Sequence, residues 1–211
     1  MQKRLWSHHD IKRKTKVKVY NAAILPSLLY SVESMTLYQR HIKRLSRSQI
    51  RHLRQIQGIR WQDRVPDVEV LRRAETPSVQ ALITASQLRW AGHVRRMPDS
   101  RLPKAVFYGE LSEGKRKQGG QKLRFKDVLK RHMKNANVKS ETWEQDALGR
   151  SFWRATVKQS VESIEEKRQL NYQRAHERRH SPATSDYTCS RCNRICRSRA
   201  GLAAHQRFCL T

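Results

Sequence analysis

The chain has 211 residues, and its 45 Lys and Arg against 18 Asp and Glu give a formal net charge of +27. Such an excess of one charge repels itself unless a polyanion neutralises it, so we expect a nucleic acid partner, RNA and/or DNA. We expect no membrane partner, because no apolar run approaches the length of a bilayer span, and no small-molecule substrate. The sequence leaves the oligomeric state open.

Apolar residues recur mostly at helical spacing, and little of the sequence alternates with a period of two, which predicts a mainly α fold. We expect an irregular, basic helical domain over residues 1–165, a charged helical arm and linker over 166–186, and a small ββα zinc finger over 187–211. Before the finger, the pattern predicts helices, in chain order, over residues 10–25, 40–57, 76–94, 124–135 and 150–179.

The boundaries of these helices carry recognisable signals. Pro26 permits a kink after the first helix, and Gly58 supplies the C-terminal stop of the second. Thr76 followed by Pro77 is typical of the start of the third. Beyond Ile164 the apolar stripe of the last helix ends while charged, helix-forming residues continue, which predicts a solvent-exposed arm.

Residues 95–121 are predicted to be mostly loop, and they contain a basic run between glycines. Lys115, Arg116 and Lys117 have almost no acidic neighbours, so we predict that they contact phosphates. Because such contacts release counterions, binding through them is expected to weaken steeply as salt rises.

Aromatic residues and a histidine near arginines admit two interpretations. Trp90 and Trp153 adjoin arginines and could stack on unpaired bases, but both lie on apolar helical stripes, which favours a place in the core. His93 is either a site residue or a packing and phosphate-contacting residue, and the second interpretation is favoured.

All four cysteines lie between positions 189 and 209, a clustering that indicates metal binding rather than disulfides in a reducing compartment. The spacing C-x2-C-x12-H-x3-C predicts a C2H2-like finger with one structural zinc ion. Its ligands are Cys189, Cys192, His205 and Cys209. Tyr187 and Leu202 match the scaffold of such a finger. Cys196 is either a spare ligand or a small core residue, and the second is favoured because the ligand shell is already complete.

The finger has small residues at the positions where a C2H2-type helix reads bases. Ser198, Gly201 and Ala204 cannot make a bidentate contact to guanine or adenine. Its arginines could reach phosphates instead. They are Arg191, Arg194, Arg197, Arg199 and Arg207. We therefore expect contacts mainly with the phosphate backbone at low sequence specificity, or a contact with protein.

Four strings before the finger resemble one family. They are ILPSLLY at residues 24–30, IRWQDRVPD at 59–67, LRWAGHVRRM at 88–97 and GGQKLRFKD at 119–127. Together they resemble the region after the polymerase core in reverse transcriptases of LINE-type, non-LTR retrotransposons. A terminal Cys/His finger also occurs in such polyproteins. The resemblance implies a thumb-adjacent helical region followed by the tail finger.

The resemblance also implies that the catalytic part is missing. Polymerase chemistry in this family needs adjacent aspartates that hold two metal ions, and the sequence has no Asp-Asp pair. We therefore expect a non-catalytic remnant of a reverse transcriptase that binds zinc and nucleic acid. We expect it in the nucleus, with the cytoplasm as a second location.

Three alternatives stay open. One is a cellular DNA-binding regulator with a single zinc finger, which would usually need base-reading side chains or several fingers. Another is an active polymerase or nuclease, since Asp99 with Glu113 and Lys115 fits the loose PD-(D/E)xK pattern of the restriction-like endonucleases in some relatives. Few carboxylates accompany them, whereas such cleavage needs several converging on metal ions. The third is an open reading frame that is not usefully expressed.

Overall fold

The computed structural model describes residues 6, 8, 10–109, 123–180, 187–196 and 198–209. They form a mainly α fold, as the sequence predicts. The α-helices are, in chain order, α1 (Arg13–Val19), α2 (Leu25–Leu28), α3 (Gln39–Gln57), α4 (Asp67–Arg73), α5 (Val79–Arg95), α6 (Leu102–Tyr108), α7 (Phe125–Asn135), α8 (Trp143–Asp146), α9 (Arg150–His180) and α10 (Arg199–Phe208). Among the described residues, no helix is both long and apolar enough to cross a bilayer.

The chain divides into two compact units, Met1–Gln169 and Leu170–Thr211. The first contains α1 to α8 and most of α9, and the second contains the end of α9 and α10. Helix α9 continues to His180, well past Ile164, which is its last buried apolar residue. The predicted arm is therefore helical, whereas residues 181–186 of the predicted linker lie outside the described residues.

The predicted proline lies just after a change of helical type between α1 and α2. A π-helical turn, Tyr20–Ile24, joins the two helices, and Pro26 lies in the first turn of α2. Proline has no backbone N–H and collides with the carbonyl four residues earlier, which is why a wider turn precedes it. Tyr20 is completely buried, and burial raises the pKa of its hydroxyl to about 12. The turn therefore anchors α1 and α2 in the core.

Helix α3 ends at the predicted glycine. Gly58 has a φ of +69°, in the left-handed region, and its N–H donates a hydrogen bond of 3.3 Å to Gln55 O. The N–H of Ile59 donates to Arg54 O at 2.9 Å. This reversal satisfies carbonyls at the end of the helix and leads the chain into a short 3-10 turn, Trp61–Asp63.

Helix α5 contributes to two clusters of buried apolar side chains in the first unit. Val79 and Ile83 belong to a cluster with α1 to α4. Leu88 and Val94 belong to a second cluster with α6 to α9. Apolar side chains project from several faces of α5, so this helix is mostly buried and contributes side chains to both clusters.

The start of α5 differs from the prediction. Ser78, not Thr76, is the N-cap, and its hydroxyl accepts a hydrogen bond of 3.3 Å from Ala81 N–H. The Thr76 hydroxyl instead donates to Ala74 O at 2.9 Å. Glu165 of α9 accepts a hydrogen bond of 2.9 Å from Ser78 N–H, which places a carboxylate at the positive end of α5. That long-range contact is invisible to a local capping pattern.

The contact between α5 and α9 depends on a glycine in the LRWAGHVRRM string. A Cβ at Gly92 would lie 2.1 Å from Trp153 Nε1, so no side chain fits there. The indole N–H of Trp153 donates a hydrogen bond of 2.9 Å to Leu88 O, and its side chain is 2% exposed. Trp90 packs edge-on against Phe125. Trp153 is therefore buried in the core and Trp90 packs against it, half-buried, which agrees with the interpretation that the sequence favoured.

His132 of α7 is completely buried, and neither ring nitrogen has a hydrogen-bond partner among the described residues. Burial, together with the neighbouring charge of Arg131, lowers the pKa of the imidazole to about 4. The ring is therefore neutral at physiological pH and fills space in the core.

Candidate metal centre

The first two predicted ligands, Cys189 and Cys192, lie in a tight turn of the second unit. The chain reverses at Asn193, whose φ of +54° lies in the left-handed region that asparagine tolerates. The N–H of Asn193 donates to Cys189 O, and the N–H of Cys189 donates to Arg194 O, both at 2.9 Å. The turn brings the sulfur atoms of Cys189 and Cys192 close enough to share one ion.

Helix α10 carries the other two predicted ligands. Ser198 caps it, and the Ser198 hydroxyl accepts a hydrogen bond of 3.1 Å from Gly201 N–H. His205 lies in the second half of the helix, and Cys209 is its C-cap residue, directly after Phe208. Four residues are slightly more than one helical turn, so the two side chains lie on the same side of α10.

The four predicted ligands form one group, whose ligand atoms all lie within 4.8 Å of one another. Cys189 Sγ lies 3.9 Å from Cys209 Sγ, and Cys192 Sγ lies 3.1 Å from His205 Nε2. A tetrahedral ion with metal–sulfur bonds of about 2.3 Å and metal–nitrogen bonds of about 2.0 Å separates its ligand atoms by about 3.5 to 3.8 Å. The group can therefore hold one metal ion.

The thiols of this group differ in their readiness to lose a proton. Hydrogen bonds from the backbone N–H groups of Arg191 and Cys192 lower the pKa of Cys189 to about 6. A hydrogen bond with Cys192, together with burial, raises the pKa of Cys209 to about 11. Cys189 therefore gives up its proton more readily than Cys209, and both thiols must be deprotonated to bind a metal ion.

Cys196 stands apart from this group within the described residues. It is half-buried, and its backbone N–H donates a hydrogen bond of 2.9 Å to Tyr187 O. A Cβ at Gly201 would lie 3.9 Å from the Cβ of Cys196, so the end of the turn packs beside the first turn of α10. This is the place of a small packed residue, which is the interpretation that the sequence favoured.

The predicted ββα form of the finger is not found. Its helix is present as α10, but among the described residues one isolated antiparallel bridge, Thr188 to Ile195, replaces the two strands. Across the turn at Asn193, the described residues pair through the hydrogen bonds from Cys189 N–H to Arg194 O and from Cys196 N–H to Tyr187 O, which is too short a pairing for two strands. Leu202, which the finger pattern predicts as a core residue, is half-buried.

The arginines predicted to contact phosphate are exposed wherever the structure describes them. These are Arg191, Arg194, Arg199 and Arg207. None of them has a carboxylate partner among the described residues. Arg197 and the basic loop residues Lys115, Arg116 and Lys117 lie outside the described residues, and their phosphate contacts stay predictions.

The structure describes one residue of the loose endonuclease pattern. Asp99 pairs with Lys104 Nζ at 2.7 Å, which holds the pKa of its carboxyl below the usual range. Glu113 and Lys115 lie outside the described residues. Within the described part of the chain, only the Cys3His group gathers three or more residues that could hold a metal ion.

A second cluster of basic residues, which was not predicted from the sequence, lies in the first unit. It lines a groove of about 770 Å³ between α5 and α9. Its members are Arg89, His93, Arg96, Arg150, Arg154 and Lys158. On each helix they are three or four residues apart, a spacing that places them on one face and could have revealed the cluster.

Known proteins similar to this chain include one that is derived from a transposon. No family model matches the chain, and no solved structure matches it. The chain is 24% identical over 158 residues to an uncharacterized, transposon-derived protein of Caenorhabditis elegans. The similarity covers 71% of this chain and 56% of the relative, so the chain spans little more than half of the relative's length. The chain thus resembles a transposon-derived protein and carries a group of residues that can hold a metal ion.

Proposed function

We propose that this protein binds nucleic acid through the phosphate backbone, holds one structural zinc ion in its Cys3His group, and catalyses no reaction. The observation that carries the proposal is the surface of the second unit, where exposed arginines without carboxylate partners accompany the metal group. The net charge of +27 supports it, because a polyanion is the natural counterpart of such an excess.

Zinc is the ion that suits this group best. Three thiolates and one imidazole form a borderline-soft, tetrahedral donor set, which zinc prefers and magnesium or calcium do not. Since the protein supplies all four ligands, no position is left for a substrate, and the ion's role is structural. A unit with so little buried apolar surface gains on the order of 10 kcal/mol of folding free energy from such an ion.

We propose that the chain descends from the post-polymerase region of a LINE-type reverse transcriptase. The four sequence strings support this origin, and so does the similarity to a transposon-derived protein. The contact of Gly92 with Trp153 gives the most distinctive string a packing role that is independent of catalysis. The absence of an Asp-Asp pair from the sequence supports a binding role, and its basic charge agrees with a nuclear location.

The proposal includes low sequence specificity, which separates it from a cellular DNA-binding regulator. The hydroxyl of Ser198 caps the helix, and Gly201 and Ala204 carry no hydrogen-bonding side chain. These three positions therefore offer few side-chain donors or acceptors for direct readout of bases. Phosphate contacts position a protein on nucleic acid but carry no sequence information.

Equilibrium binding of the zinc-loaded full chain to unrelated RNA and DNA sequences of equal length tests this proposal. We expect the affinities for the different sequences to agree within about tenfold, whereas specific DNA-binding proteins discriminate by about a thousandfold or more. A thousandfold preference for one sequence would favour the regulator and overturn low specificity.

A further inference from the structure

The groove between α5 and α9 has a strongly one-sided charge. Arg89, Arg154 and Lys158 are exposed at its rim, and none of them has a carboxylate partner among the described residues. Glu162, at one end, is the acidic residue in its lining. Cations gathered around a concave surface raise the local concentration of anions there, because the low-dielectric walls focus their field.

Arg96 and Arg150 also line the groove and lie close enough for their charges to interact. Arg96 donates a hydrogen bond to Ala147 O, which fixes its guanidinium near that of Arg150. Burial and the charge of Arg150 lower the pKa of Arg96, the direction expected where like charges meet. Both arginines, with His93, also line an adjoining cavity of about 440 Å³, so the basic surface continues toward Arg101.

The helices that form the groove are held by a rigid contact. The ring of Trp153 rests against the bare backbone of Gly92, and its N–H donates to Leu88 O. The buried side chains of Val157 and Ala85 complete an apolar floor. The contact fixes the backbone positions from which the charged side chains extend, so binding a ligand requires little reorganisation of the helices themselves.

The spacing of the cations fits a chain of phosphates better than a single one. Arg89 and Arg96 are seven residues apart, or about 10 Å along α5, and Arg150 and Lys158 are eight apart, or about 12 Å along α9. Over about 10 Å of helix axis, one nucleic acid strand presents about three phosphates. The axes of packed helices lie only about 8 to 10 Å apart, so a cleft between them is too narrow to enclose a duplex.

We propose that this groove binds a single nucleic acid strand through successive phosphates, with Arg89, Arg96, Arg150, Arg154 and Lys158 as the contacting cations. The proposal rests on the proposed function and adds a second binding surface, remote in sequence from the finger. His93 lies among these cations as a phosphate-contacting residue, which is one of the two interpretations that its sequence context left open.

The test is the salt dependence of binding by a double variant, Arg89→Gln with Arg154→Gln. Both side chains are exposed, so the variant keeps the core, as its thermal melt would show. The matched control is Lys43→Gln with Arg44→Gln, two exposed cations of α3 that remove the same charge. The probes are a short oligouridylate, the matching oligothymidylate and a mixed-sequence duplex, each bound to the zinc-loaded full chain.

For the single strands, we expect the groove variant to bind at least about tenfold more weakly than the control variant. The slope of log affinity against log salt should become shallower by about 1.4, since each lost contact to a single strand removes about 0.7. A thiouridine-substituted strand should crosslink to peptides of α5 or α9 in the wild-type chain.

Three results would contradict strand binding by the groove while leaving the proposed function intact. They are equal losses in the groove and control variants, an unchanged slope in the groove variant, and a loss confined to the duplex. If the wild-type chain binds none of the probes in a salt-dependent way, nucleic acid binding by the chain is contradicted, and strand binding by the groove is contradicted with it. Equal losses for RNA and DNA indicate that phosphate alone is recognised.

Discussion

Replacing Cys192 with Ala is expected to abolish stoichiometric zinc binding and to unfold the second unit around α10. The side chain supplies one of four ligand atoms that lie within 4.8 Å of one another, and its sulfur is 3.1 Å from His205 Nε2. The loss of an outer-shell partner already weakens metal binding by about 10- to 100-fold, so losing a direct ligand should cost more. Competition with a zinc-chelating dye measures this affinity in the full chain.

The matched control for this prediction lies four residues away. Cys196→Ala removes the same thiol from the same turn, yet Cys196 lies outside the ligand group. We expect this variant to bind one zinc ion with an affinity within a few-fold of wild type, and both variants to keep the far-UV helical signal of the first unit. Equal loss of zinc in the two variants would show that the ligand set is wrong.

Gly92→Ala is expected to destabilise the first unit strongly although it adds a single methyl group. The added Cβ would lie 2.1 Å from Trp153 Nε1 and 2.4 Å from Trp153 Cδ1, far inside van der Waals contact. Overpacking of this kind costs about 1 to 3 kcal/mol or more, and breaking the buried hydrogen bond to Leu88 O adds about 1 to 3 kcal/mol. Thermal unfolding followed by circular dichroism should show a midpoint lower by roughly 10 °C.

Two further variants identify the cause of that loss. Gly149→Ala adds a methyl group whose nearest neighbour would be Phe152 Cβ at 3.6 Å, an ordinary contact, so it should cost at most about 1 kcal/mol. Combining Gly92→Ala with Trp153→Leu removes the ring that the methyl group strikes. The double variant should be less destabilised than the sum of the single variants by about 1 kcal/mol or more. Strict additivity would mean that the two side chains do not meet.

Periodicity and local signals predict the long helices of this chain well. The apolar stripe of α3 repeats over about five helical turns, and the left-handed Gly58 that ends the helix is a local signal, so both can be recognised from neighbouring residues. Helix α4, Asp67–Arg73, is absent from the prediction because seven residues carry little periodic signal. Val70 and Leu71, which are buried, anchor it in the core, and Glu69 pairs with arginines on its surface.

The features that escaped prediction depend on residues far apart in the chain. Ser78 caps α5 beside Glu165, and Gly92 meets Trp153, yet neither pairing has a local signature. The basic groove is formed by α5 and α9 together, although the helical spacing of its cations on each segment can be read from the sequence. The metal group, by contrast, could be predicted because all four ligands and their spacing lie within one short segment of sequence. The structure brings these four ligands together. The hairpin before α10 was inferred from the family pattern and is reduced here to a single bridge.

The most direct test of the central claim, that this protein holds nucleic acid by its phosphates, is the salt dependence of its affinity. The zinc-loaded full chain should bind a short RNA or DNA with a log affinity that falls linearly as log salt rises. Four phosphate contacts give a slope of about −3, and more contacts give a steeper one. An affinity that stays constant between low and physiological ionic strength would contradict the account.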